Sequence, residues 1–335
     1  MKRWISKIHS IIIRPRVAIS AVLCCIALLS YVAVSEFTKP SNTDHCETIF
    51  SLLNPRRRCE KDEPPKKQEY DLLIKTLKWR IEEWKKNGDA SHITVYFRDL
   101  QNGPIFGISE LEHFAPASLL KVPILIAVLK YAEEYPQVLQ EKIGLSDAIP
   151  KGQNEFDPRK TLEPRKTYSI EEVLRRMIVY SDNSSKELLR NYLEGISPGI
   201  IDQTFIDLGI SLQNADGSQY IRVKSYASLF RALFNASYLN REMSQKALDL
   251  LAQAEFEDGV VAGVPKGILV AHKFGFLDIA ENQRQLHDCG IIYEPKTPYL
   301  LCVMTRGKDA PTLMSIISKI SESVSAEVSI RNKEM

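Results

Sequence analysis

The sequence has few of the features that mark metal, nucleotide or nucleic-acid chemistry. None of its six cysteines has the spacing of metal ligands. The chain contains no phosphate-binding loop, dinucleotide fingerprint, His-Glu-x-x-His motif or Gly-x-Ser-x-Gly elbow. Because the formal net charge is only +2, a nucleic-acid partner is not indicated. We therefore expect a protein that uses no metal and no cofactor.

The N-terminus has the pattern of a membrane anchor. Basic residues within residues 1–16 precede residues 17–34, which are uncharged and mostly apolar. The positive-inside rule then predicts a cytoplasmic segment at 1–16 and a single spanning helix at 17–34. We expect the remaining chain to lie outside the plasma membrane. Cleavage of a signal peptide at Ala33-Val34-Ser35 is the alternative.

Residues 35–68 are polar and contain several prolines, which predicts an extracytoplasmic linker. Cys46 and Cys59 lie in this linker, where an oxidising compartment would permit a disulfide, and their pairing stays open. Cys289 and Cys302 fall in two neighbouring strand-like runs. A disulfide and a pair of buried free thiols explain these two cysteines equally well.

One globular domain is predicted at residues 69–330, with no internal repeats. Apolar residues at helical spacing predict a first helix that ends near Gly88 and a last helix at the end of the domain. Strand-like runs lie at both ends of the domain, at residues 92–98, 104–108, 268–276, 286–293 and 299–305. Residues 117–240 are mostly helical in pattern. This order predicts an α/β sandwich with an antiparallel sheet and an inserted helical subdomain, and we expect a monomer.

Ser118 and Lys121 are the first candidate site residues. Ser118 begins a segment at residues 119–131 that is apolar on nearly all sides, which predicts a buried core helix. Lys121 follows one helical turn later, so its side chain lies on the same face. Burial there favours the neutral amine, which can take a proton from the serine hydroxyl. An isolated Ser-x-x-Lys pair is usually a surface feature, but these apolar surroundings favour a site.

The tripeptide Ser-Asp-Asn at residues 181–183 lies between two predicted helices. Capping-box patterns at Ser169 and Glu172, and at Ser184 and Glu187, mark the starts of these helices. The tripeptide is therefore a constrained connection. Taken alone, the tripeptide is better explained as an ordinary polar turn between helices.

Lys273 is the third candidate and lies in a predicted strand. Its side chain can point into a cleft, and Gly275 two residues later allows a ligand to approach the backbone closely. Taken alone, a lysine on an exposed strand face is the simpler interpretation. His272 is expected to face the opposite side, because adjacent strand side chains diverge.

As a set, the three motifs resemble those of the penicillin-recognising serine enzymes, specifically the class A β-lactamase-like branch. The motifs are Ala-Ser-Leu-Leu-Lys at 117–121, Ser-Asp-Asn at 181–183 and Lys-Phe-Gly at 273–275. The resemblance covers about residues 70–328 and includes His-Asp-Cys-Gly-Ile-Ile-Tyr at 287–293. It implies a β-lactamase/transpeptidase-like α/β fold, with a five-stranded antiparallel sheet flanked by helices and an inserted all-helical subdomain.

The resemblance also implies roles for the catalytic candidates. Ser118 would be the nucleophile that accepts the acyl group, and Lys121 would be its base. Ser181 would relay a proton to the leaving nitrogen. Lys273 would bind the carboxylate of the substrate or support Ser181.

Substrate binding is implied at three further positions. Asn183 would hold the amide side chain of the substrate, and Gly275 would let the ligand approach the strand. The backbone N–H groups of Ser118 and Phe276 would form the oxyanion hole. The implied substrate is a β-lactam or a peptidoglycan stem peptide.

Two departures from the family pattern affect the expected activity. Phe274 stands where the family has a hydroxyl residue that binds the substrate carboxylate. Residues 209–221, where a deacylating glutamate is expected, contain no Glu, and Asp216 is their only carboxylate. We therefore expect acylation of Ser118 with slow or absent hydrolysis of the acyl-enzyme.

Three functions are consistent with these observations. The leading hypothesis is a membrane-anchored serine hydrolase that resembles class A β-lactamases. A penicillin-binding-protein-like peptidase or transpeptidase is favoured by the missing glutamate. A non-hydrolytic peptidoglycan-binding module with the same fold is favoured by Phe274.

Overall fold

The computed structural model describes residues 51–54, 70–101, 103–145, 160–210, 219–281 and 283–334. The predicted membrane anchor at 17–34, Cys46, Cys59 and Asp216 lie outside these residues. Within the described residues, no helix combines the length and the apolar character needed to cross a membrane.

The domain contains one main sheet and a set of α-helices. The strands are β1 (Ala90–Asp99), β2 (Ile105–Ile108), β3 (Lys142–Gly144), β4 (Thr167–Ser169), β5 (Val270–Ala280), β6 (Gln283–Ile292) and β7 (Tyr299–Gly307). The described helices are α1 (Asp71–Lys86), α2 (Lys121–Glu134), α3 (Ile170–Val179), α4 (Asn183–Ile196), α5 (Ile200–Asp207), α6 (Val223–Phe234), α7 (Arg241–Leu251) and α8 (Ala310–Glu334). Short 3-10 turns lie at Ala117–Leu120, Pro136–Gln140 and Val261–Gly263.

Five strands form an antiparallel sheet in the order β2-β1-β7-β6-β5. Strands from the start and from the end of the domain therefore pair at its centre, as the sequence predicts. The small β3–β4 hairpin within the helical part was not predicted.

The two faces of the sheet are covered by different helices. Helices α1 and α8 pack on one face, where Leu77 and Ile317 are fully buried with Phe97. The inserted helices form a second core on the other face, around Leu125 and Leu129 of α2. Each such side chain contributes about 1.5–3 kcal/mol when it is fully buried, so both cores anchor the sheet.

Helix α4 begins differently from the sequence prediction. The predicted capping box at Ser184 and Glu187 is wrong, because Asp182 is the N-cap of α4 and accepts hydrogen bonds from Ser184 N and Ser185 N. Aspartate competes well for this position, since its carboxylate also favours the positive helix end. The capping interaction of Ser169 with Glu172 N is present at 3.2 Å.

Cys289 and Cys302 face each other on neighbouring strands β6 and β7 and form a disulfide. Both side chains are fully buried on the face that carries the inserted helices. The sequence left this pairing open.

Candidate active site

Ser118 lies in the 3-10 turn that leads into α2. Ala117 has a φ of 48°, which is a strained backbone conformation for a residue with a side chain. The turn is closed by a hydrogen bond from Leu119 N to Pro116 O at 3.0 Å. The buried Tyr226 hydroxyl donates to Leu119 O at 3.0 Å. These contacts hold a half-buried serine at the entrance of an apolar helix.

Lys121 is the first residue of α2 and is fully buried. Its Nζ donates to Ser118 Oγ at 2.9 Å and to Ser181 Oγ at 3.0 Å. It also donates to the main-chain oxygen of Ser181. The amine therefore bridges the two serine hydroxyls.

The turn that carries Ser181 is fixed from several directions. Ser181 has a φ of 57°, a left-handed conformation that costs about 1–3 kcal/mol for a residue other than glycine. Asp182 N donates to Arg176 O at 3.2 Å, at the end of α3. Because Asp182 also caps α4, the tripeptide is tied to both helices. The surrounding structure thus offsets the strain and aims the Ser181 hydroxyl at Lys121.

Lys273 approaches the same hydroxyl from the sheet. Its Nζ donates to Ser181 Oγ at 3.0 Å and to Phe274 O at 3.1 Å. The Phe274 ring stacks on Phe256 with centroids 4.2 Å apart, and its centroid lies 4.0 Å from Lys273 Nζ. This aromatic wall contributes to the burial that lowers the pKa of Lys273 to about 7, a shift that the charge of Asp288 opposes.

The two buried lysines limit each other's charge. Lys121 Nζ and Lys273 Nζ each lie 3.0 Å from Ser181 Oγ, so they are at most 6.0 Å apart. Two ammonium ions at that distance repel by about 3 kcal/mol at an effective dielectric constant of about 20. The site therefore favours one neutral amine, which is the form that can accept a proton.

The residues predicted to bind substrate occupy three different positions. Gly275 lies against the nucleophile turn, where a Cβ would stand 3.0 Å from Leu119 Cγ and 3.2 Å from Pro116 O. Asn183 is half-buried at the first position of α4. The side chain of Phe276 packs against the core beneath α1 and α8, so only its backbone is available to the site.

Sequence reasoning missed a buried contact between His272 and Asp288, which lies behind Lys273. His272 faces away from Lys273, as predicted, but its Nδ1 lies 2.8 Å from Asp288 Oδ1. Asp288 Oδ2 accepts a hydrogen bond from Val260 N at 2.8 Å. Both side chains are almost fully buried. The register of β5 against β6 was needed to find this pair, because the residues are 16 positions apart in sequence.

Four of the predicted catalytic side chains therefore form one continuous hydrogen-bonded chain, in the order Ser118, Lys121, Ser181 and Lys273. Such a chain can move a proton between a nucleophile and a leaving group. Among the residues that the structure describes, no cluster of His, Cys, Asp and Glu could hold a metal ion.

Comparison with solved structures identifies similar folds. PBP-A, in a mutant form captured as an acyl-enzyme complex with penicillin G, is 22% identical with a TM-score of 0.65, over 81% of this chain and 99% of that chain. A β-lactamase from Chitinophaga pinensis is 18% identical with a TM-score of 0.66, over 76% and 99%. A class A β-lactamase from Mycobacterium abscessus is 18% identical with a TM-score of 0.63, over 76% and 99%. At these identities the likeness establishes the fold.

The sequence itself carries the family assignment. None of the curated proteins that were compared with the chain matches it. Residues 76–328, which contain all the predicted site residues, match the description "Beta-lactamase enzyme family". With this match over most of its length and a β-lactamase/transpeptidase-like fold, the chain belongs to the β-lactamase enzyme family, a family of serine hydrolases.

Proposed function

We propose that the protein is an acyl-accepting serine enzyme in which Ser118 is the nucleophile. The observation that carries this proposal is the hydrogen-bonded chain from Ser118 through Lys121 and Ser181 to Lys273. The substrate is a β-lactam, or a cell-wall peptide amide that ends in a carboxylate. Acylation is efficient relative to deacylation, so the acyl-enzyme accumulates.

Acylation begins with proton transfer from Ser118 to the neutral amine of Lys121. Ser118 Oγ forms a bond to the amide carbon, and the carbonyl oxygen gains the negative charge. Collapse of this intermediate breaks the carbon–nitrogen bond, and the leaving nitrogen takes a proton from the Ser181 hydroxyl. Lys121 returns its proton to Ser181. The net result moves the Ser118 proton to the amine product, and both relay groups regain their starting states.

The developing oxyanion needs donors that are already in place. The backbone N–H groups of Ser118 and Phe276 serve as these donors in the proposal. Gly275 supports this assignment of the donors. Because Gly275 has no side chain, strand β5 approaches the Pro116–Leu119 turn more closely than a residue with a Cβ would allow. Fixed donors of this kind stabilise the transition state without reorganisation at the moment of reaction.

Substrate recognition rests on Lys273 and Asn183 in this proposal. The Lys273 ammonium attracts the substrate carboxylate, and the Asn183 amide holds the amide side chain of the substrate. Phe274 supplies no hydroxyl donor to the carboxylate. Since an unpaired polar group costs about 1–3 kcal/mol, we propose weaker binding of penicillins than a hydroxyl at this position would give.

Slow deacylation follows from the sequence between α5 and α6. Residues 209–221 contain no glutamate that could activate the hydrolytic water. A persistent acyl-enzyme is therefore expected. This also favours the second candidate function, a peptidase or transpeptidase whose acyl group passes to an amine rather than to water. Phe274 favours a third, a binding module without turnover.

One experiment separates these functions. The full-length protein is incubated with a chromogenic β-lactam while intact mass and chromophore release are followed together. A persistent added mass that is absent from Ser118→Ala supports slow deacylation. Rapid release without a persistent mass would establish a true β-lactamase instead. Release of D-alanine from an acyl-D-Ala-D-Ala peptide would identify a peptidase. If none of these compounds forms an adduct, the protein is a binding module without turnover.

We also propose that residues 17–34 anchor the enzyme in the plasma membrane with its catalytic domain outside the cytoplasm. The proposal rests on the apolar composition of this segment and on the basic residues that precede it. Protease added to intact cells should then degrade the domain. If the domain resists protease until the membrane is opened, the catalytic domain lies on the cytoplasmic side and the proposed topology is wrong.

A further inference from the structure

The backbone N–H and C=O of Ala115, three residues before Ser118, are each bonded to a buried side chain of strand β6. Gln285 Oε1 accepts a hydrogen bond from Ala115 N at 2.9 Å. His287 Nε2 lies 3.0 Å from Ala115 O. Gln285 is only 2% exposed and His287 is 0% exposed. Both backbone polar groups of Ala115 are thus satisfied by side chains more than 160 residues away.

The hydrogen bonds of His287 define which ring nitrogen carries the proton. Thr305 N donates to His287 Nδ1 at 3.4 Å, so Nδ1 is the acceptor. Nε2 then carries the hydrogen and donates to Ala115 O. Burial lowers the pKa of His287 to about 4, which keeps the ring neutral and in this tautomer at physiological pH.

The register of the sheet explains why this contact lies beside the nucleophile. His287 is paired directly with Gly275 across β6 and β5, so both positions face the helical side of the sheet. Gly275 leaves the space that Leu119 and Pro116 occupy. The turn therefore rests on Gly275 and is hydrogen-bonded just beyond it by His287.

Packing against Gly275 sets how closely the turn approaches the sheet, but it does not set the direction of the turn. Hydrogen bonds are directional, and the two at Ala115 fix the planes of the two peptide groups on either side of this residue. The next residues include Ala117, whose φ of 48° costs about 1–3 kcal/mol unless its surroundings hold it. The backbone of the preceding residue is also held, because Phe114 N donates to Ile221 O and Phe114 O accepts from Ile221 N.

We propose that Gln285 and His287 are positioning residues, which hold the two peptide groups on either side of Ala115 so that Ser118 Oγ and Ser118 N are aligned for acylation. This inference rests on the proposed function of Ser118. Neither side chain touches the reacting atoms, so their loss acts on the acylation rate constant at saturating β-lactam. It leaves the noncovalent affinity nearly unchanged, because Lys273 and Asn183 are not displaced.

The test uses the full-length protein and penicillin G, with acylation followed by stopped-flow and intact mass. His287→Met removes the donor to Ala115 O at similar volume, and we expect the saturating acylation rate to fall on the order of 100-fold. His287→Gln keeps an amide donor near the position of Nε2 and should recover most of this loss. Gln285→Met, which removes the acceptor of Ala115 N, provides a second and independent variant.

Ser321→Ala is the matched control. Ser321 is a fully buried residue of α8, and its Oγ donates to Val260 O at 2.7 Å, so this variant loses a buried side-chain hydrogen bond of the same kind away from the turn. It should lower the melting temperature without changing the acylation rate. Equal slowing in Ser321→Ala and His287→Met would overturn the inference, because stability alone would explain it.

Two other results would also overturn the inference. The first is a wild-type acylation rate in both folded His287→Met and folded Gln285→Met. The second is an increase in the noncovalent dissociation constant with an unchanged saturating rate. If the wild-type protein forms no adduct at all, the proposed function fails and the inference fails with it, which distinguishes that outcome from a failure of the positioning role alone.

Discussion

Replacement of Lys273 by methionine should increase the free energy of unfolding relative to the wild type, and this increase should be larger at pH 6 than at pH 10. A lysine in the unfolded chain has a pKa of 10.5, whereas burial lowers the pKa of Lys273 to about 7 in the folded protein. Between these values Lys273 binds more protons in the unfolded state than in the folded state, so its contribution to stability rises with pH. The burial of Lys273 is therefore most unfavourable below pH 7.

The size of the effect follows from the same values. The difference between a pKa of 10.5 and one of about 7 corresponds to about 5 kcal/mol, which is lost below pH 7 and regained as the pH rises to 10.5. Lys273→Met lacks this unfavourable contribution at every pH. It also loses the hydrogen bonds to Ser181 Oγ and Phe274 O, a change of about 1–3 kcal/mol that does not depend on pH.

The pH dependence of the difference between the two proteins is therefore the quantity to measure. Urea unfolding of both proteins at each pH from 6 to 10 gives their free energies of unfolding. The advantage of Lys273→Met should shrink by about 1.4 kcal/mol per pH unit above pH 7. Lys142→Met, which removes an exposed lysine, controls for the loss of one positive charge. If the difference in free energy of unfolding stays constant from pH 6 to pH 10, burial does not lower the pKa of Lys273 and this prediction is wrong.

Four further predictions concern acylation. Lys121→Met should abolish acylation, as measured by intact mass, while circular dichroism shows an intact fold; normal labelling would remove Lys121 from the mechanism. Acylation by penicillin G should weaken as the pH rises through about 7 and Lys273 loses its charge, whereas the methyl ester of penicillin G should show no such fall. Because the Asp288 carboxylate raises the pKa of Lys273, Asp288→Asn should move that fall to lower pH, and an unchanged pH profile would contradict this coupling. Gly275→Ala should slow acylation and destabilise the fold by about 1–3 kcal/mol, measured by urea unfolding, because its Cβ would press on Leu119; wild-type kinetics would show that the turn tolerates this displacement.

Local sequence patterns were sufficient to predict most of the fold. The apolar period of α1 and its end at Gly88 are present, with Leu73, Leu77 and Ile81 buried. All five strands of the main sheet lie where alternating and β-branched runs predicted them. These features depend on neighbours in sequence, which is why a single sequence reveals them.

The three motifs could be found from the sequence, but the support around them could not. The hydrogen bonds of Gln285 and His287 to Ala115 depend on the register of β6, which no local pattern encodes. The left-handed backbone at Ala117 and Ser181 is also hidden, since neither residue type favours it. The error at α4 has a similar origin: Ser184 matches a capping pattern, but the tertiary position of the turn makes Asp182 the cap.

The position of the acyl group shows most directly whether Ser118 is the nucleophile. The full-length protein is treated with penicillin G, digested and mapped by tandem mass spectrometry. We expect the penicilloyl group on the peptide that contains Ser118, and specifically on Ser118. A penicilloyl group on another residue, or a folded protein that remains unmodified at saturating penicillin G, would contradict this expectation.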